Sequence, residues 1–145
     1  MMAYDPSLFA ARSRALTSQY GAESAMSAYS RFLAQQRGQR TERDLERQYQ
    51  KSLPQLMRAY GTRGLAGPNV RSGIQRAGLR EFAGNRIRDI GELRRGLSEE
   101  LQLMDLADAQ RMAALQSAQS DLEFEKARQI AEDAQTILAR RAGGY

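Results

Sequence analysis

At 145 residues the chain suits one domain, and its composition (41% hydrophobic, 7% aromatic, rich in Ala, Arg, Gln, Glu and Leu) is that of long helices rather than a conventional globule. It contains no Cys, His or Trp, which excludes a disulfide framework and any zinc site built on thiolate or imidazole. The net charge of +5 is uneven, +4 over residues 1–60, +5 over 61–95 and −4 over 96–145, a distribution suited to head-to-tail contact between copies or to an anionic ligand.

Asp5-Pro6 has the form of a helix start, with Asp as cap and Pro at the first helical position. Leu8, Leu16 and Tyr20 follow, and Gly21 weakens or ends that helix. Ala22, Ala25, Met26, Tyr29, Phe32 and Leu33 then form a stripe at helical spacing that fades at Gln35–Gly38. Thr41–Asp44 resembles a capping box and predicts a further helix with apolar side Leu45, Tyr49, Leu53, Leu56 and Tyr60. Pro54 is expected to kink it, unless Ser52 caps a fresh turn, and Gly61 to end it. Residues 1–60 thus read as an N-terminal arm of two or three helices. The first residues lack the basic region and apolar run of a signal peptide, and no stretch approaches the ~18 apolar residues of a membrane span.

Residues 61–73 are the one stretch that helical spacing does not explain. Gly61, Gly64, Gly67 and Gly73 surround Pro68 and Asn69, and Gly-Pro-Asn is strong turn chemistry. Gly64 and Gly67 are expected to take backbone angles that a β-carbon resists. Ser72–Gln75 again has the form of a capping box. From there Leu79, Ala83, Ile87, Ile90, Leu97, Leu101, Met104, Met112, Leu115, Leu122, Ile130 and Ile137 hold one helical phase. A single helix over about 74–141 would be roughly 100 Å long; a break near Gly91–Gly96 is the alternative. Asp108, Gln119 and Lys126 fall inside the stripe and leave it locally polar. Residues 142–145 read as a frayed end or a docking tip. The fold predicted is all-α: N-terminal helices joined by a Gly/Pro-rich bend to one long C-terminal helix, an extended helical hairpin with coiled-coil-like packing between copies.

No residue pattern points to catalysis. The serines have no neighbouring base, adjacent acids such as Glu99-Glu100 and Glu132-Asp133 diverge on a helix, and the glycines around 61–67 do not match a phosphate-binding loop. No enzyme, metal or cofactor is expected. The bend residues Gly61, Arg63, Gly64, Gly67, Pro68, Asn69, Ser72 and Gly73 are one candidate partner site. A second is the row Ala77, Gly84, Gly91 and Ser98, small residues every seven positions, bordered by Arg80, Arg88 and Arg95. Arg71, Arg76, Arg86 and Arg94 are candidate nucleic-acid contacts, although the whole Arg run spreads around the helix. Of the 22 basic residues 20 are Arg, which forms forked contacts with carboxylates and phosphates; a G+C-rich genome would produce the same bias.

Arg63-Gly64-Leu65-Ala66-Gly67-Pro68-Asn69-Val70-Arg71-Ser72-Gly73, followed by a long Ala/Gln/Arg/Glu helix, resembles a pattern in small helical structural proteins of tailed bacteriophages. The resemblance covers about residues 55–125. It implies a non-enzymatic virion component in several symmetric copies, in the head–tail connector, neck or tail. Its partners would be itself and portal, adaptor or tail proteins. The alternative it leaves is an Arg-rich nucleic-acid-binding or packaging- or ejection-associated internal virion protein. DNA contact fits that alternative, whereas a membrane role fits poorly with an acidic C-terminal half. Scaffold is disfavoured because such chains are usually Glu/Lys-rich and this one has two lysines.

Overall fold

A computed structural model describes residues 5–65 and 73–142. The described residues form two helices, α1 (Pro6–Thr62) and α2 (Gly73–Ala142), with no strand among them. The fold is all-α.

Helix α1 begins as its sequence dictates. The Ser7 backbone N–H donates to Asp5 Oδ1 at 2.9 Å, satisfying one of the amides that a helix start leaves open. The Ser7 hydroxyl also donates to Asp5, at 2.6 Å, and these bonds hold the Asp5 carboxyl below its ordinary range. The other end closes on glycine. Gly64 has φ 69°, its N–H reaches Gly61 O at 3.0 Å, and Leu65 N–H reaches Tyr60 O at 2.9 Å. This pair of bonds caps the last carbonyls through a left-handed residue, which glycine supplies without a steric penalty.

The N-terminal arm is one helix of 57 residues rather than two or three. Gly21 and the segment Gln35–Gly38 lie inside it. So do the expected caps, which act differently: Thr41 Oγ donates to Arg37 O at 2.9 Å and Ser52 Oγ to Gln48 O at 2.8 Å. These are bonds one turn back within a helix, not caps that start one. Pro54 is also inside, at a position exposed to solvent. A proline there costs on the order of 3 kcal/mol. The helix persists because residues on both sides of it, Tyr49, Leu56 and Tyr60, keep one face against α2. Helix α2 runs unbroken for 70 residues through Gly91 and Gly96.

The chain divides into two compact units, residues 1–29 with 104–145, and residues 30–103. In the first, the start of α1 lies antiparallel to the end of α2. Arg12 Nη1 stands 3.4 Å from Glu125 Oε2, and Ser27 Oγ donates to Asp108 Oδ2 at 2.7 Å. Phe9 and Ser27 are its buried residues among those described. The second unit is a hairpin in its own right, α1 and α2 pairing antiparallel across the bend, with Ala34 its buried apolar residue. In each unit the partly covered positions on both helices recur about every 3.6 residues, the pitch of a straight helix.

No residue of α2 is fully buried among those described. Ile87 is 73% exposed although α1 packs beside it in the hairpin, and Leu103, Phe124 and Leu138 are exposed as well. For Ile87 and Leu103 the exposure is lateral, since one neighbouring helix covers one stripe and leaves the flanks open; Leu138 lies past the start of α1, whose Arg12 pairs with Glu125.

Candidate functional site

Three surfaces of the 30–103 hairpin carry the residues singled out from the sequence. At the bend, Gly61 sits in the last turn of α1, Arg63 and Gly64 form the turn, and Gly73 is the first residue of α2. Gly67, Pro68, Asn69 and Ser72, like Arg71, lie outside the described residues.

The small-residue row occupies the face of α2 turned away from α1. Ala77, Gly84 and Ser98 are exposed and Gly91 is half-buried. A β-carbon added at Gly84 or Gly91 would meet nothing within 4 Å. Arg80 and Arg95 border the row, exposed and without an ion pair among the described residues. Arg88 is engaged locally, with Asn85 Oδ1 at 3.1 Å and Asp89 at 3.8 Å. Among the described residues nothing packs on the row at Gly84 or Gly91.

The four candidate nucleic-acid arginines separate. Arg86 Nη2 lies 3.5 Å from Glu46 Oε1. Arg94 binds Glu42 through two nitrogens, Nε at 3.2 Å and Nη2 in a very short contact. Both belong to an ion-pair ladder across the hairpin that also includes Arg37 and Glu100, at 3.5 Å. Arg76 is exposed with no ion pair among the described residues.

The hydrogen bond from Arg94 and its charge hold the Glu42 carboxyl below its ordinary 4.5. A carboxylate depressed in the folded state contributes stability above its unfolded value and loses it as pH falls through the folded one. The hairpin is therefore expected to weaken below about pH 4.5, the ordinary value. Glu42→Gln should flatten that acid limb in a series of thermal melts at stepped pH. An unchanged limb would exclude this pair as its source.

Several residues that position the hairpin escaped the sequence reading. A β-carbon at Gly38 would stand 2.7 Å from Leu97 Cδ2, and one at Gly78 would overlap the Tyr60 hydroxyl. These two glycines, not Gly84 and Gly91, are where the paired helices approach closely. Tyr49 packs edge-on against Phe82, with ring centroids 5.2 Å apart at 77°, and its hydroxyl donates to Asp89 Oδ2. That bond, with burial second, pushes the Tyr49 phenol above its ordinary 10.0. Tyr49 was visible as an apolar-series residue; the signal for Asp89 was only that a covered phenol needs a partner.

Between the helices of the hairpin runs an open apolar groove lined by Leu53, Leu79, Phe82, Ala83, Ile87 and Ile90, with Arg86 and Arg94 at its rim. The other unit has a smaller groove around Leu16, Tyr20, Leu115 and Ala118. No group of three or more metal-binding side chains occurs among the described residues, and no helix among them is long and apolar enough to cross a membrane. Compared with protein families, curated proteins and solved structures, the chain matches none.

Proposed function

We propose that this chain is a non-enzymatic structural subunit that works in multiple copies, its apolar flanks completed by helices of neighbouring subunits. The observation that carries this reading is the exposure of large apolar side chains on both helices. Met26, Tyr29 and Phe32 stand out on α1, and Ile87, Leu103 and Phe124 on α2. Met26, Tyr29 and Phe32 follow one another at steps of three on α1, and exposed apolar side chains grouped in this way mark a place where something else packs. The grooves of both units and the unoccupied small-residue row offer such places along the helices.

We read the assembly as part of a tailed-phage virion, at the head–tail connector, neck or tail, a reading that rests on the resemblance of residues 55–125 to small helical structural proteins of such phages. The subunit would be assembled in the host cytoplasm, with copies of itself and portal, adaptor or tail proteins as neighbours. A mass-spectrometric inventory of purified particles tests this: the chain should be present at several copies per particle. Its absence from purified particles, with the chain abundant in the infected-cell lysate, would remove the virion assignment.

A further inference from the structure

The outward face of α1 in the hairpin carries a line of cations that α2 does not touch. Arg40, Arg43, Arg47, Lys51 and Arg58 follow one another at steps of three, four, four and seven residues. That spacing holds them within an arc of about 80° along roughly 27 Å of helix. All five are exposed. The covered face of the same segment, which includes Tyr49 and Leu56, lies about 180° away. Arg47 holds Asp44 in an exposed pair at 3.7 Å; the other four have no ion pair among the described residues.

We propose that this rail binds the phosphate backbone of double-stranded DNA without reading its sequence. A duplex presents one negative charge per ~1.7 Å of axis, so a one-faced line of cations can meet several phosphates at once. The α2 arginines lack that arrangement, and Arg86 and Arg94 are already held by Glu46 and Glu42. The rail has no aromatic side chain to stack on a base, which leaves backbone contact as its chemistry.

Two other anionic surfaces fit less well. A second copy offers scattered carboxylates such as Glu81, Glu92 and Glu99, which have no ion pair among the described residues, but residues 30–103 carry fifteen Lys/Arg against eight Asp/Glu, a net +7 that repels the rail as a whole. In the other unit Asp108 is held by Ser27 and Arg111, Glu123 by Lys126, Glu125 by Arg12 and Glu132 by Arg128. Every added copy brings +5 of further charge, which a polyanion neutralises and self-association accumulates. A lipid surface would call for an apolar face to insert opposite the cations, and here that face is packed against α2.

The test is fluorescence anisotropy of the full chain with labelled duplexes of about 24 bp, in two unrelated sequences, over a salt series. Five phosphate contacts predict log K falling against log salt with a slope of about −4 to −5, alike for both sequences. Arg43→Gln, Arg47→Gln and Lys51→Gln together should reduce that slope by about 3 and weaken both duplexes equally. Arg86→Gln with Arg94→Gln should leave the slope unchanged. Arg43→Lys with Arg47→Lys, which keeps the charges, should retain it, and circular dichroism on each variant separates lost charge from lost helix. The proposal is overturned by no binding at low salt, or by a triple variant that keeps helix content and the wild-type slope. It is equally overturned if the rail serves phosphatidylglycerol vesicles or self-association instead. Those outcomes would be vesicle flotation, or an oligomeric mass, that the triple variant abolishes while duplex binding stays absent.

Discussion

Gly78→Val is expected to push the Tyr60 ring aside and loosen the hairpin of residues 30–103 beside its bend. Tyr60, in the last turn of α1, lies over Gly78 in the second turn of α2, and a β-carbon there would run into its hydroxyl, with the ring Cζ at 2.8 Å. Tyr60 sits three residues before Arg63, so its ring fixes the spacing of the helices just where the chain turns back. The obstacle is the end of a flexible, partly exposed side chain, so a branched residue there displaces the ring at a cost near the lower end of the ~1–3 kcal/mol typical of overpacking. A hairpin that buries so little apolar surface has small reserves, so the thermal midpoint should fall clearly. Tyr60→Ala added to Gly78→Val should recover part of the loss, because the clash disappears with the ring. Gly84→Ala, six residues on, is expected to move the other way by up to about 1 kcal/mol, since its β-carbon enters open space and alanine favours helix. If Gly78→Val melts like wild type, the helices do not approach closely at Tyr60.

Gly84→Leu combined with Gly91→Leu is expected to separate folding from assembly. Each glycine stands on the face of α2 turned away from α1, and each has open space where a side chain would go. In the isolated chain the double variant should therefore keep or raise helicity, because leucine replaces a residue that costs a helix interior about 1 kcal/mol relative to alanine. Between copies the outcome reverses. Small residues at 77, 84, 91 and 98 let a neighbouring helix come close, with Arg80 and Arg95 free to meet its carboxylates. Two leucines on that row hold the neighbour off. The expected result is a helical protein that fails to enter particles and stays at lower mass in solution. Incorporation at the wild-type level would show the row to be a solvated face.

How much of this was legible in the sequence differs by level. The all-α class, the cap at Asp5, the left-handed Gly64 and the unbroken run of α2 all follow from local chemistry acting over a few residues. Propensity counted the glycine at 21, the polar segment at 35–38 and Pro54 as interruptions in α1, but it does not see α2 lying alongside. Packing of Leu97 against Gly38, and of Phe82 against Tyr49, supplies the continuity that local preference lacks. The glycines illustrate the limit well. Spacing picked out Gly84 and Gly91 for approach by another copy, and it gave no sign that Gly38 and Gly78 are the close-approach positions within the chain. Antiparallel register decides which glycine faces a neighbour, and register depends on contacts between residues far apart in the chain, 113 apart for Arg12 and Glu125. The arginines divide for the same reason: Arg86 and Arg94 looked free until Glu46 and Glu42 were placed beside them.

Sedimentation equilibrium on the isolated full-length chain over a wide concentration range, with circular-dichroism melts on the same samples, tests the central claim most directly. Exposed apolar flanks on two helices should drive the chain into oligomers as concentration rises, with the melting midpoint rising in step, as linkage between folding and association requires. The Gly84→Leu, Gly91→Leu variant in the same series should stay at lower mass. A monomeric mass at every concentration, with one sharp and concentration-independent melt, would contradict an account in which this chain completes its apolar surface with neighbours.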